Sequence, residues 1–244
     1  MSDHRDTIRS EFERAAHAFA ERTRGRFDDL DVVEFSRIRA GQTVAEIGAG
    51  TANFLSLFGD EAGRLIAVDL TFGMLAEARR HRDVGLIQGD GNRLPFRSGS
   101  IDLVASAQAF HHIMQPVPVL KEMRRTAAPS GRVLVVDQIA PESWEKAAVM
   151  NELEVLRDPS HAASRPASAF RIMMRAAGLE IVDERIVADR SSLSQWMWPG
   201  EFPPERIERV RDFIGRHADK SGMEFEADGD DYAFTRRRIM LLAE

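Results

Sequence analysis

Five short apolar runs separated by helical segments fill residues 43–137, and they leave little choice of fold. "TVAEI" (43–47), "RLIAVD" (64–69), "VGLIQ" (84–88), "SIDLVASA" (100–107) and "GRVLVVD" (131–137) read as strands, with "TFGMLAEARR" and "PVLKEMRRTAA" as helices between them. Such alternation predicts an α/β fold, a parallel sheet wound with helices on both faces. A helix is expected from about Thr51, and Gly131 reads as the stop of the helix over 118–128.

After Asp137 the pattern changes. Residues 142–176 read as helical with a break at Asp158–Pro159, 179–188 as a strand, 203–218 as an amphipathic helix and 232–243 as a closing strand. Residues 5–38 form N-terminal helices in which Ile8, Phe12, Ala16 and Phe19 recur at helical spacing. The helices of 5–38 and 142–176 have no place in the sheet, which makes them candidates for a cover over its functional edge. The expected organisation is a helical cover (1–40), a core (41–140), a helical lid (141–178) and a C-terminal part (179–244) that completes the sheet.

Composition narrows the function. The 244 residues contain no cysteine, which excludes disulfides, thiolate zinc sites and cysteine nucleophiles. A net charge of −6 offers no global field for nucleic acid or anionic lipid. No apolar run approaches the ~20 residues of a membrane span, and the N-terminus lacks the apolar stretch of a secretory signal, so a cytoplasmic location is expected. The run Arg236–Arg238 reads as a solvated strand edge.

In a wound sheet, ligands sit beyond the carboxyl ends of the strands. The first strand leads into "EIGAGTANF", where Gly48 and Gly50 permit a tight turn close to a ligand. The third glycine of a dinucleotide fingerprint is Asn53, which argues against a pyrophosphate; alone, the turn serves equally as scaffold. The second strand ends in Asp69, suited either to the two hydroxyls of a ribose or to capping the next helix. The third ends in "QGDGN", where Asp90 lies between Gly89 and Gly91; alone, this is a surface turn. Three such turns at neighbouring strand ends favour a common site.

Together "EIGAGT", "AVDLTFGML", "GDGNRLPFRSGSIDLV", "AQAFHHI" and "LKEMRRTAAPSGRVLVVD" resemble the class I S-adenosylmethionine-dependent methyltransferases, in the small-molecule branch that includes the ubiquinone/menaquinone C-methyltransferases. "LRDPSH", "RAAGLEIV" and "LSQWM" extend the resemblance as looser markers. Two departures are Glu46, where the family often has Asp, and Ala52, where it has glycine. The resemblance implies a Rossmann-like, seven-stranded, mostly parallel sheet and S-adenosyl-L-methionine as cofactor. It also implies that Glu46, Gly48 and Gly50, with Ala49, Thr51 and Asn53, line the methionine end and that Asp69 holds the ribose. Leu70 or Met74 would pack on the adenine, Asp90 with Gly89 and Gly91 would take its exocyclic amine, and the backbone at Ser106–Ala107 would face the methionine amino group.

Methyl transfer demands alignment above all, plus a base where the acceptor must lose a proton. The base candidates are His111 and His112, after the fourth strand, and His161 in "RDPSH"; for each the competing role is to orient or cap its loop. Trp144, Trp196 and Trp198 are suited to stacking on an acceptor or to packing the cover. No spacing argues for a metal. Arsenic acceptors need cysteines, and Ser106-Ala107-Gln108-Ala109 does not resemble the motif of nucleic-acid N-methyltransferases. A small organic acceptor is expected, apolar or aromatic, with O-, C- and N-methylation all open, as is a homodimer; no nucleic acid or membrane insertion is expected. Two other readings stay open at this point: a protein of this fold that binds the cofactor without transferring methyl, and a dinucleotide oxidoreductase.

Overall fold

The computed structural model describes residues 4–23, 25–81, 83–197 and 202–244. Its strands are β1 (Thr43–Ile47), β2 (Arg64–Asp69), β3 (Val84–Gln88), β4 (Ile101–Ala107), β5 (Ala127–Gln138), β6 (Ile181–Ser192), β7 (Glu226–Asp228) and β8 (Asp231–Ala243). The helices are α1 (His4–Arg22), α2 (Val32–Ser36), α3 (Phe72–Ala78), α4 (Pro116–Thr126), α5 (Trp144–Arg157), α6 (Ala167–Ala176), α7 (Leu193–Trp196) and α8 (Pro204–Ser221). No helix among the described residues is long and apolar enough to cross a membrane.

The sheet runs β3-β2-β1-β4-β5-β8-β6, with β7 paired to β8. The first five strands of this order are parallel, and β8 enters antiparallel between β5 and β6. The seven expected strands are all present, and the short β7 is the eighth. The chain leaves β1 toward β2 and β3, then returns to the other side for β4 and β5, so the order reverses between β1 and β4. At that reversal the helices diverge to opposite faces and a crevice opens.

Both faces of the sheet are covered, which is why the central strands are apolar throughout. Along β5, Val133 and Val135 face a cluster built with α4 and α6 (Leu120, Met123, Phe170, Met174). The alternate residues Leu134 and Val136 face Phe54, Leu55, Phe58 and Leu75. Of the inserted helices, α6 thus packs on the sheet beside α4. Helix α5 packs instead with α7 and α8, where Met150, Leu153, Trp196, Phe213 and Phe234 form a third cluster.

Three local expectations are corrected. No α-helix begins at Thr51: Ala52 adopts a left-handed φ of 59°, and only a 3₁₀ turn, Leu55–Phe58, follows. Gly131 stops no helix, because α4 ends at Thr126 and Gly131 lies within β5. A Cβ there would stand 2.8 Å from the Ile101 carbonyl and 2.9 Å from that of Asp102, so close strand approach is what requires glycine. Arg238 is no solvated edge, since β5 and β6 flank β8 there; it is buried, donating to the Arg26 carbonyl at 3.0 Å and to Asp29 at 3.2 Å, while Arg236 and Arg237 are half-buried.

Under α5, Glu154 is fully buried and accepts from Arg157 at 2.9 Å and from Gln138 at 3.1 Å. Removing one member of a buried pair strands the other charge, so Glu154→Ala is expected to lower stability by about 3–5 kcal/mol. The exposed neighbour Glu152→Ala should change it by less than about 0.5 kcal/mol, both read by denaturant unfolding.

Candidate functional site

A cavity of about 530 Å³ opens at the carboxyl ends of β1 to β4, roofed by α1. Of the residues singled out in the sequence, Glu46, Gly48, Ala49, Gly50, Thr51, Asn53, Asp69, Leu70, Met74, Gly89, Asp90, Gly91, Ala107 and His112 line it; Ser106, His111 and His161 do not. Ser106 sits one step back, its hydroxyl donating to the Ile47 carbonyl at 2.8 Å and tying β4 to β1.

The turn after β1 is built by left-handed glycines and by Asp69. Gly48 has φ of 71°, and a Cβ on it would lie 2.6 Å from that of Ala109; Gly50 has φ of 53°. The Gly50 N–H donates to one oxygen of Asp69 and the Thr71 N–H to the other, each at 2.8 Å. Burial pushes the Asp69 carboxyl up from its ordinary range against these hydrogen bonds. Glu46 is pushed well up by burial, and its carboxyl accepts the Leu55 N–H at 3.1 Å. At the end of β3, Asp90 accepts from the main chain and side chain of Asn92 at 2.9 and 2.8 Å and pairs with Arg5 at 3.1 Å. Desolvation opposes its ionisation, but the Asn92 hydrogen bonds and the Arg5 and Arg9 charges win and hold it low.

The three histidines cluster, with ring centroids 4.2 Å apart for His111–His112 and 5.7 Å for His111–His161, yet their environments differ. His111 is buried and donates through Nδ1 to Asp137 at 2.7 Å, and Asp137 also accepts the N–H groups of Phe110 and Gln138 at 2.6 and 2.7 Å. Burial lowers His111 well below its usual range and raises Asp137 to about 6, which leaves a neutral imidazole on a carboxylate at neutral pH. His112 lies 2.9 Å from the Ser160 carbonyl through Nδ1. A carbonyl only accepts, so Nδ1 carries the proton and neutral His112 keeps its lone pair on Nε2. Behind it the Ser160 hydroxyl donates to Asp158 at 2.5 Å. Burial would raise Asp158, but His112, Arg157 and the Ser160 hydrogen bonds bring it to about 2.

His161 holds its loop. Asn151 donates through Nδ2 to the Ala147 and Ser164 carbonyls, so its Oδ1, 2.9 Å from His161 Nε2, accepts from that ring. The other ring nitrogen is buried without a partner.

Several lining groups carried no signal in the sequence. Phe12 and Phe19 of α1 belong to its apolar stripe, but Arg26 and Gln108 are polar residues in connecting segments. Among the tryptophans, Trp196 packs on Phe234 and under the Arg157 guanidinium, Trp144 is exposed, and Trp198 lies outside the described residues.

A wound parallel sheet whose first three strand ends each bring an acid or a left-handed turn to one cavity has the architecture of the Rossmann-like class, in which ligands sit beyond the carboxyl ends of the strands. Residues 45–135 match the family described as the methyltransferase domain. The chain is 26% identical over 225 residues to the uncharacterized methyltransferase YcgJ of Bacillus subtilis, covering 88% of this chain and 89% of that one. It is 34% identical over 104 residues to a demethylmenaquinone methyltransferase of Beutenbergia cavernae, covering 42% of this chain and 43% of that one. Among solved structures, a protein of Bacillus halodurans superposes with a TM-score of 0.82 at 23% identity, covering 88% of this chain and 98% of that one.

The histidine environments set a pH dependence. Burial takes His161 down to about 4, so the unfolded chain, with the ordinary value of 6.5, binds the extra proton between those limits. Its contribution to stability is present above pH 6.5 and is lost as pH falls toward 4. His111 acts in the same direction. Asp137 acts oppositely, favouring the folded state at acid pH and losing that contribution as pH rises through about 6. Comparison with His161→Asn cancels the other two groups. From pH 7 to pH 5 wild type should lose about 2 kcal/mol more than the variant in denaturant titrations.

Proposed function

We propose that this cavity seats S-adenosylmethionine with its methionine end at Glu46, Gly48 and Gly50 and its nucleoside between Asp69 and Asp90. A small organic acceptor, apolar or aromatic, then occupies the space under α1 beside Phe12, Phe19 and His112. The observation that carries this is the convergence of fourteen sequence-selected residues on one cavity at the sheet's reversal. The residues present fit the cofactor. Thr51 Oγ1 is a buried polar atom without a partner in the cavity wall, and the missing Cβ of Gly48 lets backbone form the floor. Asp69 has already bound two N–H groups, but a carboxylate offers about four lone-pair directions, which leaves room for ribose hydroxyls.

When bound, the cofactor supplies a methyl group on a sulfonium, which is displaced in line. The chain's part is to hold donor and acceptor in that line, to keep water out with α1, and to receive a proton. His112 is the base in this reading: it is the only one of the three histidines in the cavity wall, and its Nδ1–H···O=C bond reserves Nε2 for the acceptor. His111 and His161 serve by holding the loops around it.

Calorimetry with S-adenosylhomocysteine tests the cofactor seat. Micromolar binding is expected, weakened more than about tenfold in Asp69→Ala because charge-assisted hydrogen bonds of ~1.5–3 kcal/mol each are lost. Unchanged affinity in that variant would remove the ribose assignment. For the base, S-adenosylhomocysteine production across a panel of phenols, amines and acidic carbon acceptors comes first. His112→Asn should then lower turnover by about a hundredfold or more with cofactor affinity kept. Full turnover in the variant would return His112 to a packing role.

A further inference from the structure

The loop after α5 meets His112 from behind, with Asp158 and Ser160 both buried and neither in the cavity wall. Two main-chain bonds dock it there, from the Ala162 and Ala163 N–H groups to the His111 carbonyl at 2.8 and 3.0 Å. The side chains add a second connection. Asp158 Oδ1 accepts the Ser160 N–H at 2.9 Å and the Ser160 hydroxyl at 2.5 Å, and that hydroxyl oxygen lies 3.2 Å from His112 Nδ1. Held at about 2, Asp158 is a carboxylate above that value and takes no proton itself. A carboxylate only accepts, so the hydroxyl proton points to Asp158 and the hydroxyl oxygen receives from the ring. This gives the same tautomer as the Ser160 carbonyl does, with the proton on Nδ1 and the lone pair on Nε2.

The other charged and titratable groups around His112 are engaged elsewhere. His111, beside it, donates to Asp137 of β5, and Glu154 of α5 is paired with Arg157. His161 is bonded to Asn151, and His4 of α1 lies 3.0 Å from the His112 carbonyl. Asp158 is the acid that a chain of hydrogen bonds links to the imidazole.

Resting on His112 as the base, we propose that Asp158, acting through the Ser160 hydroxyl, is a positioning residue for methyl transfer: it keeps the proton on Nδ1 and stabilises the imidazolium formed when Nε2 takes the acceptor's proton. In that step the acceptor atom bonds the methyl carbon, and the carbon–sulfur bond breaks with its electron pair passing to sulfur. The proton lost by the acceptor stays on His112 until water removes it. A negative charge two hydrogen bonds away favours that cation, as the acid of a Ser-His-Asp triad does, without itself being protonated.

Two readouts on the full chain separate this from a loop-capping role. The first needs neither acceptor nor cofactor. In nitrogen NMR of the histidine rings at mildly alkaline pH, the His112 signals, assigned by their loss in His112→Asn, show the Nδ1–H tautomer in wild type. Asp158→Ala frees the Ser160 hydroxyl to donate to Nδ1, so the ring becomes a mixture of both tautomers. A ring that stays wholly Nδ1–H overturns the link. The second is the pH profile of turnover with an acceptor from the panel. Asp158→Asn keeps an acceptor oxygen for Ser160 and removes the charge, so kcat falls about tenfold or more with S-adenosylhomocysteine affinity kept. Its acid limb moves to lower pH, because the imidazolium is less favoured. A kcat within about twofold of wild type and an unmoved acid limb, while His112→Asn loses turnover, overturn the proposal and leave the base reading standing. Full turnover in His112→Asn overturns both. Should Asp158→Ala fail to fold, Asp158→Asn decides the matter.

Discussion

One carboxylate sets the geometry on which the cavity depends. Asp69 closes β2 and takes the Gly50 N–H on one oxygen and the Thr71 N–H on the other. The first bond pulls the turn after β1 against the end of β2, and the second starts α3 in the right place. Both Gly48 and Gly50 need left-handed backbone to reach it, and Ala52 takes the same conformation although it bears a side chain. A left-handed residue other than glycine costs about 1–2 kcal/mol. The fold absorbs that because Ala52 is fully buried among Phe54, Leu55 and Phe58. The glycine turn is therefore less a flexible loop than a strained one pinned by an acid.

A second carboxylate does the same for the other half of the cavity. Asp137, at the end of β5, collects Phe110, His111 and Gln138 and so fixes the chain after β4. His111 spends its imidazole on this carboxylate and faces away from the cavity, and its neighbour His112 is thereby turned toward it. The loop of Asp158, Ser160 and His161 then locks His112 from behind. Adjacent histidines do different work because a buried acid claims one of them.

How much of this could be read from the sequence follows from range. The strand order and the acids at three strand ends were legible because each sits in a local strand–turn–helix pattern. The 3₁₀ turn after Thr51 was not, since its cause is a left-handed Ala52, whose residue type does not announce it. Arg238 looked solvated because a run of three arginines on an alternating strand is usually at an edge; it is buried because its partners come from Arg26 and Asp29, more than 200 residues away. Arg26 and Gln108 meet across 82 residues, and no local pattern marks their pairing. His161 fits either of two roles by its local sequence, and the contact that decides between them comes from Asn151, on the preceding helix.

The two ends of the cavity also differ in how firmly they are built. The floor is the sheet, whose strands share a main-chain ladder and apolar contacts on both faces. The roof, α1, is tied to it by polar links that are mostly exposed: Arg5 to Asp90, Glu13 to the Gly73 N–H, and Arg80 to Glu21. Exposed pairs of this kind contribute about 0–1 kcal/mol each. The remaining hold is apolar, from Phe12, Phe19 and the buried alanines 15, 16 and 20, small residues that bury little area apiece. Local opening follows the weakest apolar contact and the most exposed polar links. In this molecule both properties fall on the helix that covers the cavity, and neither falls on the strands that form its floor.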